Sequence, residues 1–289
     1  GDAGEHFGRR GGAAGGRNRD GPTRPTIGFR IRFTRTMFSA TLTVLAMTLM
    51  VTTVGTAAFI IGLVYPAHWV IAASSYLWAR VVLACAGVRL TVVGVEHVQD
   101  GHPRFFVGNH QSALDIPILL VALRGRVRFM AKDGLFRIPI FGWVIRRYGY
   151  APIYRRQVRL TWQVLEQTLA RLRSDPVSFA VFPEGTRTQD GKLLPFRRGT
   201  MKVAQRAGLP IVPFTIDGTF RVYQQSKFAA RPGPVRISFA APISPNEASE
   251  CSARELQERV FLTVATELGE TPGVEDGGDS TAVRPPAVA

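Results

Sequence analysis

The stretch Phe105-Phe106-Val107-Gly108-Asn109-His110-Gln111-Ser112-Ala113-Leu114-Asp115-Ile116-Pro117 decides the reading of the fold. A short apolar run closing on Gly108 reads as a buried strand, the polar residues after it as a turn, and Pro117 suits the first turn of a helix. Open α/β sheets build their sites at the carboxyl ends of strands, and His110 stands at such an end. Residues five apart lie about 140° apart on an ideal helix, so His110 and Asp115 can meet only if one of them sits in the turn. His110 in the loop and Asp115 at the helix start satisfy that condition. A carboxylate on one imidazole nitrogen fixes the tautomer and leaves the other nitrogen to accept a proton, the arrangement of a general base. An ordinary alternative fits the same spacing: a capping box over Ser112 to Asp115, with His110 a plain loop histidine.

Working outward, β-branched and aromatic runs occur at Val88 to Val95, Arg104 to Val107, Val127 to Met130, Val177 to Phe182, Ile211 to Ile216 and Val235 to Phe239. Helical periodicity occupies Ile116 to Leu123, Gln157 to Arg173, Thr200 to Arg206 and Ala253 to Leu268. This alternation predicts an α/β fold whose mixed or largely parallel sheet is flanked by helices. The 289 residues suffice for one such domain, expected at 88–270, with extensions.

Residues 1–36 are Gly and Arg rich and 271–289 are Gly, Pro and acid rich. Neither can bury enough apolar surface to offset ordering, so a disordered basic arm and a disordered tail are expected. Met37 to Ala79 contains no Asp, Glu, Lys or Arg, and Pro66 divides it. The run exceeds the ~20 residues that one spanning helix needs. It predicts a membrane-embedded helical hairpin over 37–87, its second arm either spanning or lying in the interface. Trp69, Tyr76 and Trp78 are the aromatics expected at headgroup level. The polar arm is too long for the n-region of a signal peptide. Arg24, Arg30, Arg32 and Arg35 beside the first helix place the N-terminus, and with a hairpin the catalytic domain too, on the cytoplasmic side of the cell membrane.

A net charge of +15 marks a protein that seeks anions: nucleic acid, acidic lipid or a phosphorylated substrate. The cations are almost all arginine, as a GC-rich bacterial genome would give. Cys85 and Cys251 are too few and too far apart for a disulfide framework or a cysteine metal site, and no metal is expected.

Two further islands carry candidate chemistry. In Phe182-Pro183-Glu184-Gly185-Thr186-Arg187-Thr188, another strand runs into a turn. Gly185 allows close backbone approach, Thr186 offers a hydroxyl and Arg187 can clamp a phosphate, although an ordinary turn has the same composition. Between 124 and 159 lie ten Arg or Lys and one acid, Asp133, interleaved with Leu135, Phe136, Ile138, Ile140, Phe141 and Trp143. A basic edge around an apolar patch suits anionic lipid; a solvated basic face over core is the alternative.

Asn109 to Asp115, then Ile153-Tyr154-Arg155, Phe182 to Arg187 and Leu209-Pro210-Ile211-Val212-Pro213-Phe214 resemble, in order, the four motifs of the lysophosphatidic acid acyltransferase family. Ala131-Lys132 and Pro195-Phe196-Arg197-Arg198-Gly199-Thr200 resemble its connecting segments, with Thr200 standing where alanine is commonest. The likeness covers roughly 80–245. It implies a glycerol-phosphate acyltransferase-like fold and acyl transfer to the sn-2 hydroxyl of lysophosphatidic acid, giving phosphatidic acid. The donor would be acyl-coenzyme A or acyl carrier protein, with no cofactor, no metal and no nucleic acid. His110 would be the base, oriented by Asp115. Arg155, Glu184, Gly185, Thr186 and Arg187 would bind the headgroup, and Lys132 joins them on charge grounds. Glycerol phosphate or another lysolipid remains a possible acceptor. A serine hydrolase does not fit, since no Gly-x-Ser-x-Gly elbow is present and Ser112 is two residues from His110. A non-catalytic basic protein would need no such pair.

Overall fold

The computed structural model describes residues 53, 57, 68–98, 101–154, 157–172, 177–224 and 230–270. The expected polar arm, almost all of the first apolar helix, the tail and Arg155 lie outside the described residues.

Helix α1 (His68–Cys85) leads into strand β1 (Val88–Val93) and a 3-10 turn (Val95–His97). Strand β2 (Phe105–Gly108), α2 (Asp115–Ala122) and β3 (Val127–Lys132) follow, then a second 3-10 turn (Asp133–Arg137), α3 (Phe141–Arg147) and β4 (Ala151–Ile153). Next come α4 (Val158–Leu172), β5 (Ser178–Val181), α5 (Arg198–Ala207), β6 (Ile211–Asp217) and a single-turn α6 (Thr219–Val222). Strand β7 (Gly233–Phe239), α7 (Pro245–Glu250) and α8 (Ala253–Leu268) complete the fold.

The strands form one seven-stranded sheet in the order β1-β7-β6-β2-β5-β3-β4. Every pairing is parallel except β6 with β7, which makes the sheet mixed. Helices cover both faces, so central strands are apolar on both sides; every residue of β2 is buried. The period of two sends Phe105 and Val107 into the layer shared with α5, α7 and α8, and Phe106 into the layer shared with α1 and α2. Helices α7 and α8 each open on a capping box, Ser244 with Glu247 and Ser252 with Glu255.

The second arm of the expected hairpin is thus α1, and it belongs to the domain. Ala79, Leu83 and Ala86 pack with Phe106, Leu114 and Ile118, while Trp69 and Leu77 point outward. No helix among the described residues is long and apolar enough to cross a membrane. The mixed sheet with flanking helices is as the sequence predicts. Short elements were not anticipated: β4, α3, α6 and α7 are each under eight residues, below the length at which periodicity registers.

Strands β2, β3, β4, β5 and β6 all run one way, so the segments after them emerge at one edge. Gly108 closes β2 because β6 leaves no room: a Cβ there would lie 2.1 Å from the Phe214 carbonyl oxygen and 2.6 Å from its ring. Gly108→Ala is therefore expected to cost about 3 kcal/mol in urea-induced unfolding, and a loss under about 0.5 kcal/mol would contradict this account of the β2–β6 contact.

Candidate active site

His110 and Asp115 meet where the loop after β2 turns into α2. The His110 Nδ1 and Asp115 Oδ2 atoms are 2.7 Å apart. The same oxygen accepts the main-chain N–H groups of Gln111 (2.7 Å) and Ser112 (2.8 Å), and Oδ1 accepts the Thr219 hydroxyl at 2.6 Å. Asp115 is fully buried, whereas His110 retains 16 % of its side-chain exposure. Several donors converge on one buried carboxyl, which identifies it as an acceptor, and acceptor-only oxygens require the hydrogen to lie on Nδ1. The ring's Nε2 lone pair is then the one available to a ligand.

The capping-box alternative does not hold. Leu114 is the N-cap residue of α2 and has no side-chain cap bond. The Ser112 hydroxyl instead donates to the Tyr223 carbonyl oxygen at 2.8 Å.

The Pro-Glu-Gly-Thr-Arg turn after β5 holds the histidine from the other side. Glu184 Oε1 accepts the His110 N–H at 2.7 Å, and Thr188 N–H donates to the His110 carbonyl at 3.1 Å. Both polar groups of the His110 peptide are thus bonded to one loop. The imidazole stacks on Phe182 at a centroid distance of 4.0 Å and 14° between planes. Phe182 is itself packed by Phe129 and Phe214. Upstream, the Asn109 amide bonds both to the N–H and to the C=O of Ile216 at 2.8 Å each, extending the β2–β6 ladder by one side chain.

Among the other residues singled out by the sequence, Gly185 has φ 71° and is exposed with Thr186, and Arg187 is half-buried beside them. The Arg197 guanidinium lies so close over Gly185 that a Cβ there would come within 2.8 Å of its Nε. Lys132 ends β3 at the same sheet edge, exposed. Among the described residues neither Lys132 nor Arg187 is paired with a carboxylate, so both can receive an anion. Glu184, by contrast, is buried and its carboxyl faces inward, bonded to His110 and, through Oε2 at 3.3 Å, to the Leu194 N–H.

Sequence reasoning passed over Thr219, Thr188 and Phe182. Thr219 carried a usable signal: Asp217-Gly218-Thr219 follows a strand as the other two site segments do, and β6 adjoins β2. Gly218 has φ 100°, and a Cβ there would meet the Pro234 carbonyl oxygen at 2.6 Å, so the turn that presents Thr219 needs glycine.

Comparison with known proteins bears on this arrangement. The family model described as Acyltransferase matches residues 89–217, which hold the dyad and the Glu184 to Thr188 loop and stop just before Thr219. The human 1-acyl-sn-glycerol-3-phosphate acyltransferase alpha is 31% identical over 196 residues, 67% of this chain and 69% of that one. This chain belongs to the 1-acyl-sn-glycerol-3-phosphate acyltransferase family. The chloroplastic 1-acyl-sn-glycerol-3-phosphate acyltransferase LPAT1 of Arabidopsis thaliana is 34% identical over 174 residues, 60% of this chain and 48% of that one. The chain spans about half the length of such plant family members. The crystal structure of the 1-acyl-sn-glycerophosphate acyltransferase PlsC from Thermotoga maritima superposes with a TM-score of 0.67 at 26% identity, over 82% of this chain and 99% of that one.

Burial pushes the Glu184 carboxyl up to about 8; the His110 and Leu194 N–H groups pull it down, and the carboxylates of Asp115 and Glu270 add to the rise. At neutral pH it is mostly protonated. Because the folded-state value lies above the unfolded one, the native state binds this proton more tightly. The associated stability is full below about pH 4 and is lost as pH rises through about 8. Unfolding free energy is expected to fall by on the order of a few kcal/mol across that window, and Glu184→Gln to remove the slope. Wild-type and Gln curves that run parallel in pH-dependent denaturation would contradict the assignment.

Proposed function

We propose that the chain transfers an acyl group from acyl-coenzyme A or acyl carrier protein to the free sn-2 hydroxyl of lysophosphatidic acid, giving phosphatidic acid. The observation that carries the proposal is His110 held by Asp115 with Nε2 left to a ligand. Family membership supplies the reaction class.

The steps follow from that geometry. Nε2 accepts the proton of the acceptor hydroxyl as its oxygen attacks the thioester carbonyl carbon. Asp115 stabilises the imidazolium that forms, its own charge spread over the bonds from Gln111, Ser112 and Thr219. The tetrahedral intermediate collapses, the carbon–sulfur bond breaks, and the imidazolium returns its proton to the departing thiolate. Phe182 covers one face of the ring and keeps water from it. No step calls for a metal or cofactor.

Headgroup binding falls to the unpaired cations at this edge. Arg187 makes a forked contact with the phosphate, the exposed Gly185 and Thr186 line the approach, and Lys132 adds positive charge; Arg155 joins them on the family resemblance of its motif alone. Glu184 contributes from behind, by fixing the His110 main chain.

Lipid retention places the reaction at a membrane. At roughly 0.8 kcal/mol per methylene, a sixteen-carbon chain disfavours leaving the bilayer by on the order of 10 kcal/mol. We place the enzyme on anionic phospholipid at the face of a bacterial cell membrane, the apolar 37–67 run its anchor.

The test is an acceptor panel with labelled acyl-coenzyme A. His110→Ala and Asp115→Asn are expected to lose about 10²- to 10⁴-fold in kcat while remaining folded. Full activity of His110→Ala sinks the mechanism; preference for glycerol 3-phosphate over lysophosphatidic acid sinks the named acceptor. Thr219→Val, which leaves Oδ1 of Asp115 without its hydroxyl donor, is expected to lower kcat about tenfold with KM little changed.

A further inference from the structure

Between β3 and β4 the chain builds a rigid, outward-facing apolar platform. Ile138 (47 %), Ile140 (60 %) and Phe141 (44 %) are exposed to degrees unusual for such side chains, and Leu135 and Trp143 stand out beside them. A loose loop would fold these residues inward. This one is pinned: Phe136 is buried, Arg146 donates to its carbonyl at 3.1 Å and lies over its ring at 5.9 Å. Gly142 packs so close that a Cβ would lie 2.3 Å from the same carbonyl oxygen.

The most exposed of the three occupies a strained backbone. Ile140 has φ 65° and ψ −60°, and the Phe141 N–H donates to the Pro139 carbonyl at 2.7 Å. That is a γ-turn of the rare, strained hand, centred on a β-branched residue that avoids positive φ. The strain holds an apolar side chain away from the core.

Charge and position indicate what meets this face. Lys132, Arg137, Arg146 and Arg147 rim the platform, all exposed, and Asp133 is the one acid among residues 132–147, bonded to Arg137 at 3.2 Å. An apolar tip with a cationic rim matches an anionic bilayer surface, where apolar groups enter the headgroup boundary and cations meet lipid phosphates. The platform follows β3, whose carboxyl end lies at the same sheet edge as His110 with only β5 between, about 10 Å across two strand spacings.

We infer that the 135–147 platform is a docking surface for anionic phospholipid, which seats the bilayer against the edge where His110 opens. The inference deepens the proposed function, since it names the face through which a bilayer-held acceptor is reached. Anchoring by the 37–67 run alone tethers the domain without orienting it; this second contact fixes its orientation.

Depth measurement on the full chain is the test. Ile140→Cys, with Cys85 and Cys251 replaced by alanine, carries a nitroxide on phosphatidylglycerol vesicles. The label is expected within roughly 5–10 Å of the headgroup boundary, reached by oxygen and shielded from a water-soluble nickel complex. Ready access by the nickel complex overturns the proposal. So does shielding from both reagents, which would mean that another segment of the chain or a second copy covers the patch.

A kinetic arm uses Ile140→Gly with Phe141→Ser, in which glycine suits the positive φ and preserves the turn. Apparent KM for long-chain lysophosphatidic acid in those vesicles is expected to rise roughly tenfold, with the rate on a short-chain, monomeric acceptor unchanged. Equal loss on both acceptors overturns the docking role. If wild type acylates neither acceptor, the reaction assignment fails, while label depth still decides the surface.

Discussion

A buried carboxylate organises this molecule. An ionised group taken out of water is costly unless hydrogen bonds replace its hydration. Asp115 meets that demand with the imidazole, two main-chain N–H groups and a threonine hydroxyl. These partners come from the loop after β2 and from the turn after β6, so the carboxylate ties two neighbouring strand ends together. The loop curls round the oxygen, and that curl brings His110 back to a residue five positions on.

Parallel strands make the convergence possible. Five strands running one way deliver their following segments to one edge, and the site takes something from each described neighbour of β2. The segment after β6 supplies Thr219 to Asp115. The segment after β5 supplies Phe182 under the ring, Glu184 and Thr188 on the His110 peptide, and Arg187 for an anion. Glu184 is the counterpart of Asp115: a second buried carboxyl nearby, kept mostly neutral by burial and by its charged neighbours. Holding one carboxyl charged and the other protonated avoids two adjacent buried anions.

Much of this was legible in the chain. The apolar runs marked six of the seven strands, and the helix predicted over Ala253 to Leu268 is observed with those bounds. The His110 and Asp115 encounter was one of two readings that a strand end, a turn and a helix start allowed, and the family resemblance favoured it. Less was legible where the determining contact is long-range. Thr219 lies 104 residues from Asp115, and although its place after a strand marks the turn, no local feature names its partner. The family resemblance assigns Glu184 to the headgroup, and only the fold shows it turned inward to the His110 and Leu194 main chain. Helix α3 escaped notice because it is only seven residues long, with Gly142 and Ile145 buried and Phe141 and Trp143 exposed, too short for a period to register.

The central claim is that Asp115 fixes the tautomer of His110 so that Nε2 is the basic atom. Nitrogen-15 NMR of the full chain labelled in histidine measures this directly, with His110→Ala assigning the signal. At a pH where the ring is neutral, the account predicts a one-bond proton coupling on Nδ1 and an unprotonated Nε2 shift. A proton on Nε2, with Nδ1 bare, would contradict it.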